Sequence, residues 1–273
     1  QTRFYGSLGS RQSQFDRFTF SCVEQATNEP QTMDNKAEPP TLARASALVD
    51  IAWQLHDALE ALTADQRRAR LAQAAQPALE MIRQYEETYR PEKAATSANA
   101  VAAHLSYLKG KLATCVEAAE RAAPKAHELL ADAVKLDPTL TAGWDALGEC
   151  YWHCGDLESA RGCFAGAIAH KANAPSLCHM SMLLRHMASC DAADAAALVV
   201  ESLHLAKEAV RLEPTSQAAW TSVGNAQLSV YAHATADADN LTAAHKAFTQ
   251  AARAASSSAV VGDDGAAATA PAD

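Results

Sequence analysis

The sequence predicts an all-α protein built from stacked helical hairpins, and three observations favour this fold class. Aromatic residues make up only 6% of the chain, and no run of β-branched residues alternates as a strand would. Apolar residues recur at helical steps of three and four along most of the chain. A motif headed by Trp144 returns at Trp220, slightly more than two periods of about 34 residues later. Because one hairpin cannot bury its own apolar face, we expect the copies to stack.

Residues 144–151 carry the clearest hairpin. Their large apolar side chains lie at helical spacing, Gly148 allows a neighbouring helix to approach closely, and Gly155 breaks the chain before a second helix. This pattern is typical of a tetratricopeptide repeat (TPR), which predicts a right-handed superhelix, or α-solenoid, of about four hairpins with N-terminal capping helices. We expect the largest residues of the stripes to be buried: Trp144, Leu147, Tyr151, Phe164, Leu184 and Phe248.

The chain divides into four regions. Residues 1–40 are polar and aperiodic, which indicates a disordered leader or, before Met33, a non-native extension. Residues 41–93 form N-terminal helices that cap the stack, with a partner-binding coiled coil as the alternative; their apolar stripe includes Leu48, Leu79 and Ile82. Residues 94–255 hold about four repeats, two of them with loop insertions near 189–195 and 235–240. Residues 256–273 are a low-complexity tail that we expect to be disordered, and its position directly after a repeat suggests a fragment or a divergent truncation.

Composition and charge narrow the function classes. A net charge of −9 argues against a general nucleic-acid binder, which is normally basic. No apolar stretch approaches the length of a membrane span, and the seven scattered cysteines suit a reducing compartment. We therefore expect a soluble protein of the cytoplasm and nucleus.

Motifs for catalysis or metal binding are weak. Cys150, His153, Cys154 and Cys163 cluster in sequence, but their spacing matches no common zinc site, so packing within the repeat is the simpler interpretation. Residues 237–240 open like a calcium loop but lack its glycine and closing glutamate. No phosphate-binding loop or nucleophile–base pair is present in the sequence. We therefore predict a protein without enzymatic activity, cofactor or metal.

A candidate peptide-binding groove follows from helix geometry. In each first helix, the residues one, five and eight positions after the Trp position form a stripe about 110° from the core stripe. In stacked TPRs this stripe lines the concave surface. It consists of Asp145, Glu149 and Trp152; Cys178, Met182 and Arg185; and Thr221, Asn225 and Leu228.

Arg185 and Asn225 have the chemistry that peptide recognition needs. The arginine fork suits a carboxylate, and the asparagine amide can donate to and accept from a peptide backbone. The alternative for each residue in the stripe is a solvated or intramolecularly paired side chain.

Several segments resemble one family in particular, the tetratricopeptide repeat protein 5 (Strap) family. The resemblance runs from about Met33 to about Ala252 and covers the family's N-terminal helices and early repeats. Generic TPRs do not require three of the shared segments, which are Leu147-Gly148-Glu149-x-Tyr151-Trp152, Cys163-Phe164-x-Gly166-Ala167 and Ser181-Met182-x-Leu184-Arg185.

The resemblance implies an adaptor. Members of this family recognise the amino-terminal peptide of nascent tubulin at the ribosome and trigger decay of tubulin mRNA, and they are also described as nuclear scaffolds for transcriptional coactivators. It also implies that Arg185 is a groove residue and that Lys135 faces the ribosome. Asp132 departs from the family, which typically has a basic residue in that turn.

The start of tubulin, Met-Arg-Glu-Ile, carries both charges that the groove would pair. Its Arg would bind Asp145 or Glu149, and its Glu would bind Arg185. A coactivator scaffold is the alternative function. A chaperone co-factor that clamps a terminal carboxylate ranks lower, because Asp145 and Glu149 would repel that carboxylate.

Overall fold

The computed structural model describes residues 42–58, 63–88, 96–117, 124–190 and 194–261. The predicted leader at 1–40 lies outside these residues, as does the end of the predicted tail at 262–273. The described chain consists of α-helices and one π-helical turn, and it contains no strand, which confirms the predicted all-α fold class. It forms two compact units that divide between Asp137 and Pro138.

The described residues of the first unit form four helices: α1 (Leu42–Ala58), α2 (Ala64–Thr88), α3 (Thr96–Glu117) and α4 (Pro124–Leu136). Leu48, Ile82 and Leu108 bring the first three together in one apolar core. Leu79, which we expected in the same stripe, is instead exposed, because the buried face of α2 runs through Ala75, Ala78 and Ile82.

The second unit contains three helical hairpins and carries the candidate groove. Its helices are α5 (Thr141–His153), α6 (Leu157–His170), α7 (Ala174–Cys190), α8 (Ala195–Leu212), α9 (Gln217–Val230) and α10 (Ala238–Val261), with the π-helical turn at Tyr231–Thr235. Gly155 turns the chain between α5 and α6 at a φ of 84°. This left-handed conformation favours glycine, as the motif predicted.

Two boundaries differ from the sequence-based expectation. The loop expected over 235–240 is shorter, because α10 already begins at Ala238, where the Asp237 carboxylate accepts a hydrogen bond from the Asp239 amide at 3.0 Å. The same helix continues to Val261, past the boundary that composition suggested at 255. The continuation covers residues 256–261, where the sequence has no Gly or Pro to end the helix before Gly262.

Burial agrees with the predicted stripes for only some of the large residues. Leu147, Phe164 and Leu184 are buried, whereas Trp144, Tyr151 and Phe248 are only partly buried. The Trp144 indole packs on Gly166, but its Nε1 reaches outwards and donates to the Pro138 carbonyl at 2.9 Å. Trp220 makes the equivalent bond to the Pro214 carbonyl at 2.8 Å. A polar edge that must reach a turn carbonyl keeps part of the ring at the surface.

Candidate peptide-binding groove

The groove candidates lie on the first helices of the three hairpins, α5, α7 and α9. Helix α7 packs against both of the others, so it occupies the middle of this row. Its exposed face presents Met182, which is 44% exposed, next to the partly buried Arg185. The middle helix therefore supplies an apolar and a cationic side chain at neighbouring positions.

Arg185 is held by two buried hydroxyl groups. Its Nη1 atom donates to Ser181 Oγ at 2.8 Å and to Ser202 Oγ at 3.3 Å. No carboxylate among the described residues lies within ion-pair distance of this guanidinium. Burial lowers the pKa of Arg185, although arginine stays charged at neutral pH. The groove thus contains a partly desolvated cation that has hydrogen-bond partners but no counter-charge.

Asp145 is buried, whereas the sequence placed it on the concave flank. Its side chain accepts a hydrogen bond from Ser176 Oγ at 2.7 Å, and its other oxygen lies 3.8 Å from His179 Nδ1. That oxygen and that nitrogen are both buried without a hydrogen-bond partner. Asp145 therefore links α5 to α7 instead of facing solvent.

Glu149 remains closer to the surface and contacts the other side of the same histidine. Its Oε1 lies 3.3 Å from His179 Nε2, with a quarter of the Glu149 side chain exposed. Burial by itself would lower the pKa of His179, but the adjacent Asp145 and Glu149 carboxylates outweigh burial and raise it. The result is an acid–imidazole–acid cluster between α5 and α7.

The remaining groove candidates line both ends of the row. Trp152 is partly buried, and its ring centroid lies 5.6 Å from that of the exposed His186. On α9, Asn225 and Leu228 are exposed, and Thr221 donates to the Gln217 carbonyl of its own helix. Aromatic, amide and aliphatic groups are therefore all available to a ligand along these helices.

Cys178 completes the predicted stripe on α7. Burial raises the pKa of its thiol and outweighs the nearby Ser222 and Arg185 side chains, which lower it. The thiol is thus kept protonated and acts as a packing group at the α7–α9 junction.

The predicted ribosome-facing residue, Lys135, belongs to the first unit. It is exposed and pairs with Asp132 at 3.2 Å, one turn earlier on α4. The acidic residue at position 132 thus offsets part of the lysine charge on this surface.

The residues of the cysteine cluster differ in burial. Cys150 and Cys163 are buried and Cys154 is exposed. Burial raises the pKa of the Cys163 thiol to about 11, which disfavours the thiolate that a metal would need. Within the residues that the structure describes, no three metal-ligating side chains are grouped to hold an ion.

Three residues of this site were not predicted as site residues from the sequence: His179, Ser181 and Ser202. Ser181 lies inside a motif that we noted, but its contact to Ser202 joins residues from different helices. His179 lies one position beyond the predicted stripe, and only the packing of α7 on α5 places it between two carboxylates. The presence of an arginine on the groove helix was the only local signal for this polar network.

Comparison with known proteins identifies relatives of part of the chain. Over 108 residues the chain is 43% identical to tetratricopeptide repeat protein 5 of Bos taurus and 42% identical to the proteins of that name from Homo sapiens and Mus musculus. This part of the chain is therefore similar to tetratricopeptide repeat protein 5. The match covers 40% of this chain and 24% of the length of each relative, and is shorter than the stretch over which the motifs suggested resemblance.

The other comparisons add little detail. No family model matches the chain. Two crystal structures of MamA align with TM-scores of 0.44; their sequence identities are 15% and 17%, and they cover 83% and 73% of this chain and 100% and 98% of their own. No helix in the described ranges is long and apolar enough to cross a membrane. The helical hairpins of the second unit are typical of a TPR-type repeat protein.

Proposed function

We propose that this chain is a TPR adaptor whose groove binds an extended peptide with an acidic side chain, and that the ligand is the amino-terminal peptide of nascent tubulin. Arg185 is the observation that carries the proposal. A guanidinium that is partly desolvated without a counter-charge gains free energy when a carboxylate pairs with it. The acidic side chain of Met-Arg-Glu-Ile meets this requirement.

The cationic side chain of the same peptide fits Glu149 better than Asp145. Asp145 is only 8% exposed and its carboxylate already accepts a hydrogen bond from Ser176, so a ligand would have to displace α7 to reach it. Glu149 is more accessible, with a quarter of its side chain exposed, and its Oε1 lies beside His179 at the surface of the cluster. The peptide would therefore run from Glu149 on α5 towards Arg185 on α7.

The cellular consequence that we propose is decay of tubulin mRNA at the ribosome, with Lys135 on a ribosome-facing surface. The family relationship and the charge pattern of the groove support this role. A nuclear coactivator scaffold would use the same fold with a different peptide. A clamp for a terminal carboxylate is less well supported, because Glu149 would repel that group.

Fluorescence anisotropy with a Met-Arg-Glu-Ile peptide labelled at its carboxyl end tests the proposal. Arg185→Ala is expected to weaken binding by about 1.5–3 kcal/mol, or roughly 10- to 150-fold, the range for a hydrogen bond to a charged group. Arg185→Lys should recover only part of the loss, because a point charge cannot replace a bidentate fork. A peptide with Glu changed to Gln should bind wild type about as weakly as the Glu peptide binds Arg185→Ala.

Arg211→Ala is the matched control. Arg211 lies in the same unit, is 70% exposed and pairs with Glu208, so its loss removes one positive charge without touching the groove. Its affinity should equal that of wild type. If wild type does not bind the peptide, the tubulin assignment is wrong; if Arg185→Ala binds as well as wild type, the peptide lies elsewhere.

A further inference from the structure

The arrangement around Arg185 depends on a pair of serines from two helices, Ser181 on α7 and Ser202 on α8. Each is fully buried. Ser181 Oγ donates to the Ser202 carbonyl at 2.9 Å, and Ser202 Oγ donates to the Ser181 carbonyl at 2.9 Å. Each hydroxyl therefore bonds the backbone of the other helix, and the two bonds together join α7 to α8.

The number of hydroxyl hydrogens limits which further hydrogen bonds the Oγ atoms of Ser181 and Ser202 can make. A serine hydroxyl has one hydrogen and two lone pairs. The two Oγ atoms lie 2.9 Å apart, so either could donate to the other; when both hydrogens go to the carbonyls instead, the two oxygens face each other through lone pairs only. A shared donor relieves that repulsion, and Arg185 Nη1 is placed to donate to both. Ser222 of α9 occupies the remaining lone pair of Ser181, at 3.3 Å.

This arrangement uses one nitrogen of the guanidinium and leaves two. Nε and Nη2 of Arg185 donate to no acceptor in the part of the chain that the structure describes. These two atoms form the edge of the group that binds a carboxylate through two parallel hydrogen bonds. A guanidinium fixed at Nη1 has also lost the rotational freedom that carboxylate binding would otherwise cost.

We propose that Ser181 and Ser202 are positioning residues that anchor Arg185 through Nη1 and reserve its Nε–Nη2 edge for a ligand side-chain carboxylate. This inference rests on the proposed function, because it specifies how the groove selects an acidic peptide. The serines do not touch the ligand. They act by presenting a fixed planar edge, which a carboxylate matches and an amide does not.

The first test requires no ligand. In ¹⁵N NMR of the full chain, hindered rotation about the Nε–Cζ bond should give separate Nη1 and Nη2 signals for Arg185, assigned by their loss in Arg185→Lys. Ser202→Ala removes one acceptor and should average these signals. Thr114→Val is the matched control, because it removes a buried hydroxyl that bonds the Gly110 carbonyl in the other unit. Signals that stay separate in Ser202→Ala would overturn the inference, whatever the peptide does.

The second test is a cycle of two proteins and two peptides. Ser202→Ala should weaken binding of the Met-Arg-Glu-Ile peptide about 3- to 10-fold, within the range for groups that share one network, and change binding of the Glu→Gln peptide less than about 2-fold. Equal losses for both peptides would mean that Ser202 is only structural. If Ser202→Ala does not fold, Ser202→Cys keeps the side-chain volume with a weaker acceptor and should show a smaller change of the same kind.

The two failures can be told apart. If the Arg185 Nη1 and Nη2 signals average in Ser202→Ala but wild type binds neither peptide, the tubulin assignment is refuted and the anchoring of Arg185 stands. If wild type binds the Met-Arg-Glu-Ile peptide but the Arg185 signals stay separate in Ser202→Ala, the anchoring is refuted and the proposed function stands.

Discussion

Replacing Phe164 with alanine tests the packing of the second unit most directly. The ring is 0% exposed and lies so close to α5 that a Cβ on Gly148 would come within 2.7 Å of its Cε1 atom. Phe→Ala at a fully buried site typically costs about 3–5 kcal/mol, and the loss is larger when the surroundings cannot collapse. Because Gly148 has no side chain that could fill the gap, we expect about 4–5 kcal/mol.

Phe248 provides an internal comparison. Its ring packs against Gly224 in the same way, since a Cβ on Gly224 would lie 2.5 Å from Phe248 Cε1. The Phe248 ring is nevertheless only partly buried. Phe248→Ala should therefore cost roughly half as much as Phe164→Ala, since less apolar area leaves water. Urea unfolding followed by circular dichroism measures both, with hydrogen exchange of α6 as a local readout. Equal losses, or a loss below about 1 kcal/mol for Phe164→Ala, would show that the burial order is wrong.

Two further predictions concern neighbouring positions. Gly148→Ala should destabilise the chain by about 1–3 kcal/mol, because the added methyl group overlaps the Phe164 ring. Gly162→Ala, which has open space around it, should stabilise α6 by up to about 1 kcal/mol. Urea unfolding of both variants measures the two changes in the free energy of unfolding, and equal changes would refute the reasoning. His179 has a raised pKa in the folded state, so its contribution to stability is complete below its unfolded pKa and is lost as the pH rises through its folded pKa. The destabilisation caused by His179→Gln should thus be larger at about pH 5.5 than at about pH 8.5 in unfolding titrations, and a pH-independent difference would show that the carboxylates do not act on the imidazole.

Local patterns predicted most of the fold. Helical spacing, the turn at Gly155 and the repeat period depend on residues close in sequence, and these features are present in the structure. The depth of burial was harder to predict. Trp144 and Phe248 lie on the correct faces, but how far each is covered depends on which helix packs over it and on polar edges such as the indole N–H.

The groove shows the same division between local and non-local information. Periodicity identified Arg185 and Met182 as residues of one helix face, which depends only on their own helix. Periodicity also placed Asp145 on the exposed flank, but this residue is buried because helix α7 packs over it and Ser176 of α7 bonds its carboxylate. Similarly, nothing near Arg185 in the sequence indicates that Ser202, on the next helix, would become its acceptor.

The indole bonds of Trp144 and Trp220 have a further consequence for the repeat between them. Each tryptophan fastens its helix to the carbonyl of the turn before it, whereas Leu177 occupies that position in α7 and has no such donor. Helix α7 is instead held in position by both neighbours. Its Ser176 bonds Asp145 on α5, and its Ser181 accepts a hydrogen bond from Ser222 on α9. Of the three first helices, α7 is therefore the one whose position depends most on contacts with its neighbours. In an array in which each repeat contacts only its neighbours, fraying of either adjacent repeat would shift α7, and with it the proposed peptide site, while most of the array stayed folded.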